Sequence, residues 1–404
     1  MEQLGKELLV ALDVGSTKVA VIVAEINEAG ELEIIGFDRK ESKGLTEGKV
    51  TDIESTVKVI NQAVETVERL ADCQIKSVWT QISGSHIELK TATGMVTIKD
   101  NEVKQADIDR VVEMSKVVNM PQNKDILHTL TQEFIVDRQS GVHSPLGMSG
   151  QILEAKVHFI LAGINEEQNL LRCIRRSGIE VKALHFQPIA SGEAVLSHDE
   201  KELGVLLIDI GGGTTDYVLY KNQSLITTGV VPFAGVHITN DIAIGLRIKL
   251  IEAEEIKRRY GCTLIDIADQ DLTFEISAPN ENNGRMENMY SLAEIIEPRV
   301  REIFEIVFGQ IRAVGADQDI AQVVLTGGSS LLYGIEELSE RIFARQTRVG
   351  IPIVDSKLSE MVSHPFYASA VGLIYFAQAA KNNFDDQASG GLFKNLREFI
   401  ARHF

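Results

Sequence analysis

The chain has 404 residues, 44% hydrophobic and 24% charged, with a formal net charge of −18. That length exceeds one ordinary core and the composition is globular, while the negative excess excludes a nucleic-acid partner and broad adhesion to anionic lipid. Three cysteines (Cys73, Cys173, Cys262) without a CxxC pair, and nine histidines without HxH or HExxH spacing, give neither a disulfide framework nor a catalytic zinc site.

The amino terminus carries Glu2 and Glu7 and enters an apolar strand within a few residues, so no signal peptide is expected. No apolar run reaches the roughly 18 residues of a spanning helix, and a cytoplasmic protein is expected. The first strand leads into LLVALDVGSTKVAVIVAEI, which reads as strand, Asp-x-Gly turn, hydroxyl residues and a second strand. A helix over 53–70 and a strand over 78–84 follow. From 85 to 162 the pattern changes to strand-like pieces around a helix over 105–118, a small α+β insertion. A helix then closes at Gly178, and VKALHFQPIASGEAVLS passes from strand to helix.

The second half opens at Leu203 with LGVLLIDIGGGTTDYVLY, a second copy of the first signature. Its insertion, over 245–304, holds the helix IEAEEIKRRY, a polar Asn/Gly-rich turn at 280–284, and a long helix from SLAEIIEPR. LTGGSS then supplies a third glycine turn after a buried strand. Polar residues over 381–390 read as a flexible linker before a last amphipathic segment, 391–404.

The twin signatures carry chemistry. Glycines at 15 and 211–213 leave room for phosphate oxygens to approach the backbone, and consecutive turn amides form an anion-binding nest. Ser16, Thr17, Thr214 and Thr215 add hydroxyl donors, Lys18 a cation, and Asp13 and Asp209 would hold Mg²⁺ through its waters. One such hairpin is ordinarily just a turn; two, each opening half a chain, would clamp one polyphosphate from both sides. Glu254 and Lys257 share a helix face at i,i+3, which alone is a solvated ion pair but could also grip ribose and adenine edges.

In this order the motifs resemble the actin, DnaK-chaperone and sugar-kinase superfamily, whose two duplicated halves close on ATP. Asp13 to Lys18 match its first phosphate motif, Asp209 to Asp216 its second, Thr326 to Ser329 its adenosine motif, and 187–190 and 368–372 its connecting helices. The resemblance implies an α/β, duplicated actin-like (ribonuclease-H-like) two-lobed ATPase fold binding ATP with Mg²⁺. The first lobe would comprise 1–84, 163–202 and 365–380, with the insertion 85–162. The second would comprise 203–244 and 305–364, with the insertion 245–304. Gly327, Gly328 and Ser329 would face the base. Gln187 would orient water and Asp209 assist it; glutamine cannot act as a general base, so slow or negligible turnover is expected.

Within the superfamily, the late position of the first insertion, GSHI at 84–87, HSPLGMSG at 143–150 and AEIIEPR at 293–299 are similar to the bacterial division actins. Actin-like adaptors of pilus assembly share the relocated insertion and are the alternative, with a superfamily kinase behind them. Division-actin resemblance implies a filament-forming peripheral protein on the cytoplasmic face of the cell membrane at the septum. Its implied partners are the acidic carboxy-terminal peptide of the tubulin-like FtsZ, later division proteins, and copies of itself. The peptide-docking positions match Arg285, Arg299 and Glu302, and arginine forks suit carboxylates. In the tail, Leu392, Phe393, Leu396, Phe399, Ile400 and Phe404 form one apolar arc beside Lys394, Arg397 and Arg402. At ~1.5 Å per residue this helix is about 20 Å long, so it would lie in an anionic interface rather than cross a ~30 Å core.

Overall fold

The computed structural model describes residues 8–27, 31–116, 121–277, 284–354 and 359–389. Two five-stranded mixed sheets dominate it. In the first, Leu9–Val14 sits centrally, antiparallel to Lys18–Ile26, which pairs antiparallel with Leu32–Glu41; on its other side Ser77–Ile82 and then Glu180–Phe186 add in parallel. The second repeats this with Val205–Ile210 at the centre, Thr215–Lys221 and Ser224–Val231 antiparallel on one side, and Gln322–Thr326 and Thr347–Val349 parallel on the other. Valine and isoleucine suit these strands because the central ones are covered on both faces and every residue of both is buried. The duplication expected from the twin signatures is therefore a duplication of topology.

Two helices, Gln187–Val195 and Ala368–Ser389, lie between the sheets and join them through one apolar cluster. Leu9 and Ala11 of the first sheet and Val205, Leu207 and Val218 of the second meet Ile189, Ala190, Leu373 and Ile374 in it. Close approach explains Gly372: a Cβ there would stand 1.7 Å from the Ala190 carbonyl oxygen. The second helix continues to Ser389, through residues expected to form a linker. Asn, Asp and Ser weaken a helix without stopping one, and neither Gly nor Pro occurs between Lys381 and Ser389. Tail residues Leu392, Phe393, Leu396, Arg397, Phe399, Ile400 and Phe404 lie outside the described residues.

The first lobe's insertion is a four-stranded antiparallel sheet, Glu88–Thr97, Ile152–Gly163, Lys124–Val136 and Gln139–Val142 in spatial order, packed against the helix Gln105–Ser115. In the second lobe the long helix Met289–Ala313 carries Pro298 internally, and burial of Leu292, Ile296, Val300, Phe304 and Val307 offsets the lost backbone bond. The helix Gly235–Leu246 has no counterpart in the sequence reading. GVHITNDIAIGL is rich in Gly and β-branched residues and lacks a polar N-cap, so its local preference points elsewhere.

Replacing Gly372 by Ala should destabilise the protein by roughly 1–3 kcal/mol or more, since neither helix backbone can yield. Urea unfolding of the variant against the parent measures it.

Candidate nucleotide site between the lobes

The two signatures fold into matching hairpins. Gly15 N–H donates to the Lys18 carbonyl at 2.9 Å, and Gly211 N–H to that of Thr214 at 3.0 Å, leaving Ser16-Thr17 and Gly212-Gly213 at the tips. These tips meet. A Cβ on Gly212 would stand 2.2 Å from Thr17 Cγ2, and one on Gly213 2.5 Å from Ser16 Oγ. Glycine is therefore needed in the second turn partly to admit the first. Behind the turns, a cavity of about 830 Å³ is walled by both lobes.

Each lobe presents one buried carboxylate at the end of its central strand, held in the same way. Asp13 accepts from Gln81 Nε2 at 2.8 Å and from Ser369 Oγ at 2.8 Å. Asp209 accepts from Gln187 Nε2 at 3.2 Å and from Ser191 Oγ at 2.6 Å. In both cases the serine comes from an interlobe helix. Lys18 Nζ lies 2.9 Å from Asp13 Oδ2 and donates to the Phe366 carbonyl. Burial pushes Asp209 above the usual carboxylate range, against the pull of its Ser191 and Gln187 donors.

Gly327 has φ +83°, and a Cβ there would fall 2.4 Å from Asp209 Oδ1. Gly328 packs on the Phe366 ring, and Ser329 Oγ donates to the Gly211 carbonyl at 3.2 Å. Glu254 and Lys257 are more than a solvated pair: Lys257 is buried and donates to Glu254 Oε2 (2.6 Å), Thr239 Oγ1 (2.8 Å) and the Gly235 carbonyl (2.9 Å). Burial lowers its pKa, and Glu254 opposes that.

The cavity thus brings together Asp13, Gly15, Ser16, Thr17, Lys18, Gln187, Asp209, Gly211, Gly212, Gly213, Thr214, Glu254, Lys257, Gly327, Gly328 and Ser329. Thr215 is the exception. It is fully buried and donates to the Phe233 carbonyl at 2.7 Å, because the strand alternation that turns Thr214 toward the cleft turns its neighbour away. Sequence reasoning missed Gln81 and Ser369, whose partner Asp13 lies 68 and 356 residues away, and also Ser191 and Thr239, whose side chains bond to Asp209 and Glu254 on other elements. It also missed a bond between lobes: Asp216 accepts from Ser83 Oγ and, at 3.0 Å, from Thr214 Oγ1.

The expected docking residues lie on the second lobe, away from this cleft. Arg299 is engaged: Nε and Nη2 reach Asp241 at 2.6 and 3.2 Å, and Nη1 reaches Glu302. Arg285 pairs with Glu287 at 2.8 Å and donates to the Leu246 carbonyl at 3.2 Å.

Two lobes of repeated topology closing on paired aspartate-glycine turns define an actin-like protein. Solved structures agree on the fold. A PilM-PilN type IV pilus biogenesis complex matches with TM-score 0.67 and 17% identity over 93% of this chain and 99% of that one. MreB 5 of Spiroplasma citri bound to AMPPNP matches with TM-score 0.60 and 14% identity over 95% and 99%. A MamK double helical filament matches with TM-score 0.52 and 11% identity over 92% and 98%. Sequence narrows the class. The family model for "Cell division protein FtsA" matches residues 206–372, and that for the "SHS2 domain inserted in FTSA" matches 84–161. Cell division protein FtsA of Pseudomonas aeruginosa is 41% identical over 97% of this chain and 94% of its own length; that of Escherichia coli K12 is 35% identical over 99% of each. The chain belongs to the FtsA family of cell division proteins.

Burial also raises Asp216, to about 7. Unfolded, this carboxyl ionises near pH 4. Between those values the folded protein binds the proton that the unfolded chain has lost, so stability falls as pH rises from about 4 to about 7. Asp216→Asn should remove that part of the slope, leaving the variant more favoured over the parent at pH 8 than at pH 5. Denaturant titrations at the two pH values test this. Gly212→Asp should abolish any nucleotide binding at this candidate site in isothermal calorimetry while circular dichroism shows a folded protein.

Proposed function

We propose that this division protein binds ATP with Mg²⁺, polymerises as an actin-like filament on the cytoplasmic face of the membrane, and tethers FtsZ there while recruiting later division proteins. The observation that carries the reading is the paired constellation: two buried aspartates, each braced by a glutamine and a serine, facing one cavity behind two glycine turns that meet. A cavity of about 830 Å³ is of the size that holds a nucleotide.

The donor set suits the metal. Among the described residues there is no cluster of three or more His, Cys, Asp or Glu able to hold an ion. Two lone carboxylates fit Mg²⁺, which keeps several waters and takes one or two protein oxygens beside phosphates. When bound, the ion would neutralise phosphate charge. Asp13 and Asp209 would hold it, the turn amides and Lys18 would bind phosphate, and Gly327, Gly328, Ser329, Glu254 and Lys257 would surround the adenosine. Gln187 donates its amide to Asp209, so it can orient a water without removing a proton, which supports slow or negligible hydrolysis.

No helix among the described residues is long and apolar enough to cross a membrane. The amphipathic segment 391–404 would make the attachment, since its basic edge on a chain of net charge −18 favours anionic headgroups. A single short helix binds weakly and reversibly, whereas a filament presents many at once. The FtsZ peptide would dock on the surface formed by Arg285, Arg299 and Glu302, its carboxylates meeting the two arginines.

Truncation after Ala388, or Phe399→Glu, should release the protein from anionic liposomes in flotation assays while ATP affinity is unchanged. Continued flotation of the truncated chain would place the anchor elsewhere. Arg299→Glu should weaken FtsZ peptide binding by roughly 1–3 kcal/mol with ATP binding spared. Fluorescence anisotropy with a labelled peptide measures it.

A further inference from the structure

We propose that the helix Gly235–Leu246 couples the nucleotide cleft to the peptide face, with Asp241 holding Arg299 in position for an acidic peptide. This rests on the docking reading above and adds its regulation.

Arg299 is built into the second lobe. Asp241 fixes its Nε and Nη2 edge at 2.6 and 3.2 Å, and the guanidinium lies 5.4 Å above the Phe233 ring. Only Nη1 points to a replaceable partner, Glu302, whose side chain is 49% exposed. A carboxylate from a docking peptide can take that edge by displacing Glu302, while Asp241 keeps the fork aimed. Lysine, with a point charge, could not be held on one edge and offered on the other.

The same helix begins in the nucleotide cleft. Gly235 N–H donates to the Gly211 carbonyl at 3.1 Å and Val236 N–H to the Gly212 carbonyl at 2.8 Å, so its first turn hangs on the second phosphate turn. Thr239 donates to Glu254 at 2.5 Å, and Lys257 reaches the Gly235 carbonyl. Asp241 follows Val236 by five residues, about 7.5 Å of helix rise. Phe233 provides a second connection, since its carbonyl accepts from Thr215 while its ring supports Arg299. Phosphate held by the amides of the turn fixes the carbonyls behind them, hence the helix start, hence Asp241 and the fork. ATP should therefore tighten peptide binding, and by linkage the peptide should tighten ATP binding by the same factor.

The test is calorimetry on the full chain, titrating a synthetic acidic peptide of the FtsZ carboxy terminus with and without AMPPNP and Mg²⁺. In the parent, nucleotide should strengthen peptide binding by about fivefold or more, within the usual range of couplings, and the reverse titration should return the same factor. Asp241→Asn should bring the factor to about one while AMPPNP affinity without peptide stays as in the parent. Arg299→Lys, which keeps the charge and loses the fork, should do the same and covers the case in which Asp241→Asn fails to fold. Glu302→Gln should raise peptide affinity and leave the factor intact. A parental factor retained in Asp241→Asn would overturn the coupling while leaving the docking reading standing. A parent that binds no peptide in either state would overturn both.

Discussion

A carboxylate placed in a low-dielectric cleft must be hydrogen-bonded or lose its charge, and in each lobe of this protein one such group stands at the end of the central strand. Asp13 and Asp209 close off the central strands of their sheets, and each takes a glutamine amide and a serine hydroxyl. Because Ser191 and Ser369 stand on the two interlobe helices, satisfying the carboxylates also fixes those helices relative to the sheets. The helices in turn pack so closely that Gly372 leaves no room for a methyl group against Ala190. Charge satisfaction at the cleft and apolar packing behind it thus specify the same arrangement of lobes.

Besides the shared apolar cluster, the lobes touch at the phosphate turns. Ser16 meets Gly213 and Thr17 meets Gly212, while Ser83 donates across the lobes to Asp216. Glu47 approaches His237 at 3.9 Å on the same side. These contacts are set above the extensive apolar cluster that joins the two sheets. A ligand that engages both turns therefore acts where the lobes touch, and small displacements there reach the helix Gly235–Leu246 directly through its bonds to the Gly211 and Gly212 carbonyls.

Membership of the FtsA family gives these features a setting in cell division. Neighbours of known structure that share the fold at under 20% identity include pilus, filament and nucleotide-bound proteins, so the fold alone does not choose among these roles. Sequence identity of 35–41% along nearly the whole chain does choose.

Local sequence determined the central strands of both sheets, both hairpin turns and most helices, but not the edge strands Leu32–Glu41, Ser224–Val231 and Thr347–Val349. Asp-x-Gly between apolar β-branched runs, and amphipathic stretches such as 53–70, express their preference within a few residues. It also determined the duplication, because two copies of one signature need two copies of one topology. The tertiary structure alone decided which groups complete each site. Gln81 and Ser369 reach Asp13 across 68 and 356 residues, and no spacing rule records that. It alone turned Thr215 to the Phe233 carbonyl, buried Lys257 beneath Gly235, and engaged Arg299 with Asp241. Most tellingly, GVHITNDIAIGL is a helix against its own composition, because its first amides find acceptors only on the folded phosphate turn. Propensity acts over neighbouring residues, whereas the pairing of buried polar groups acts over whatever the fold brings together.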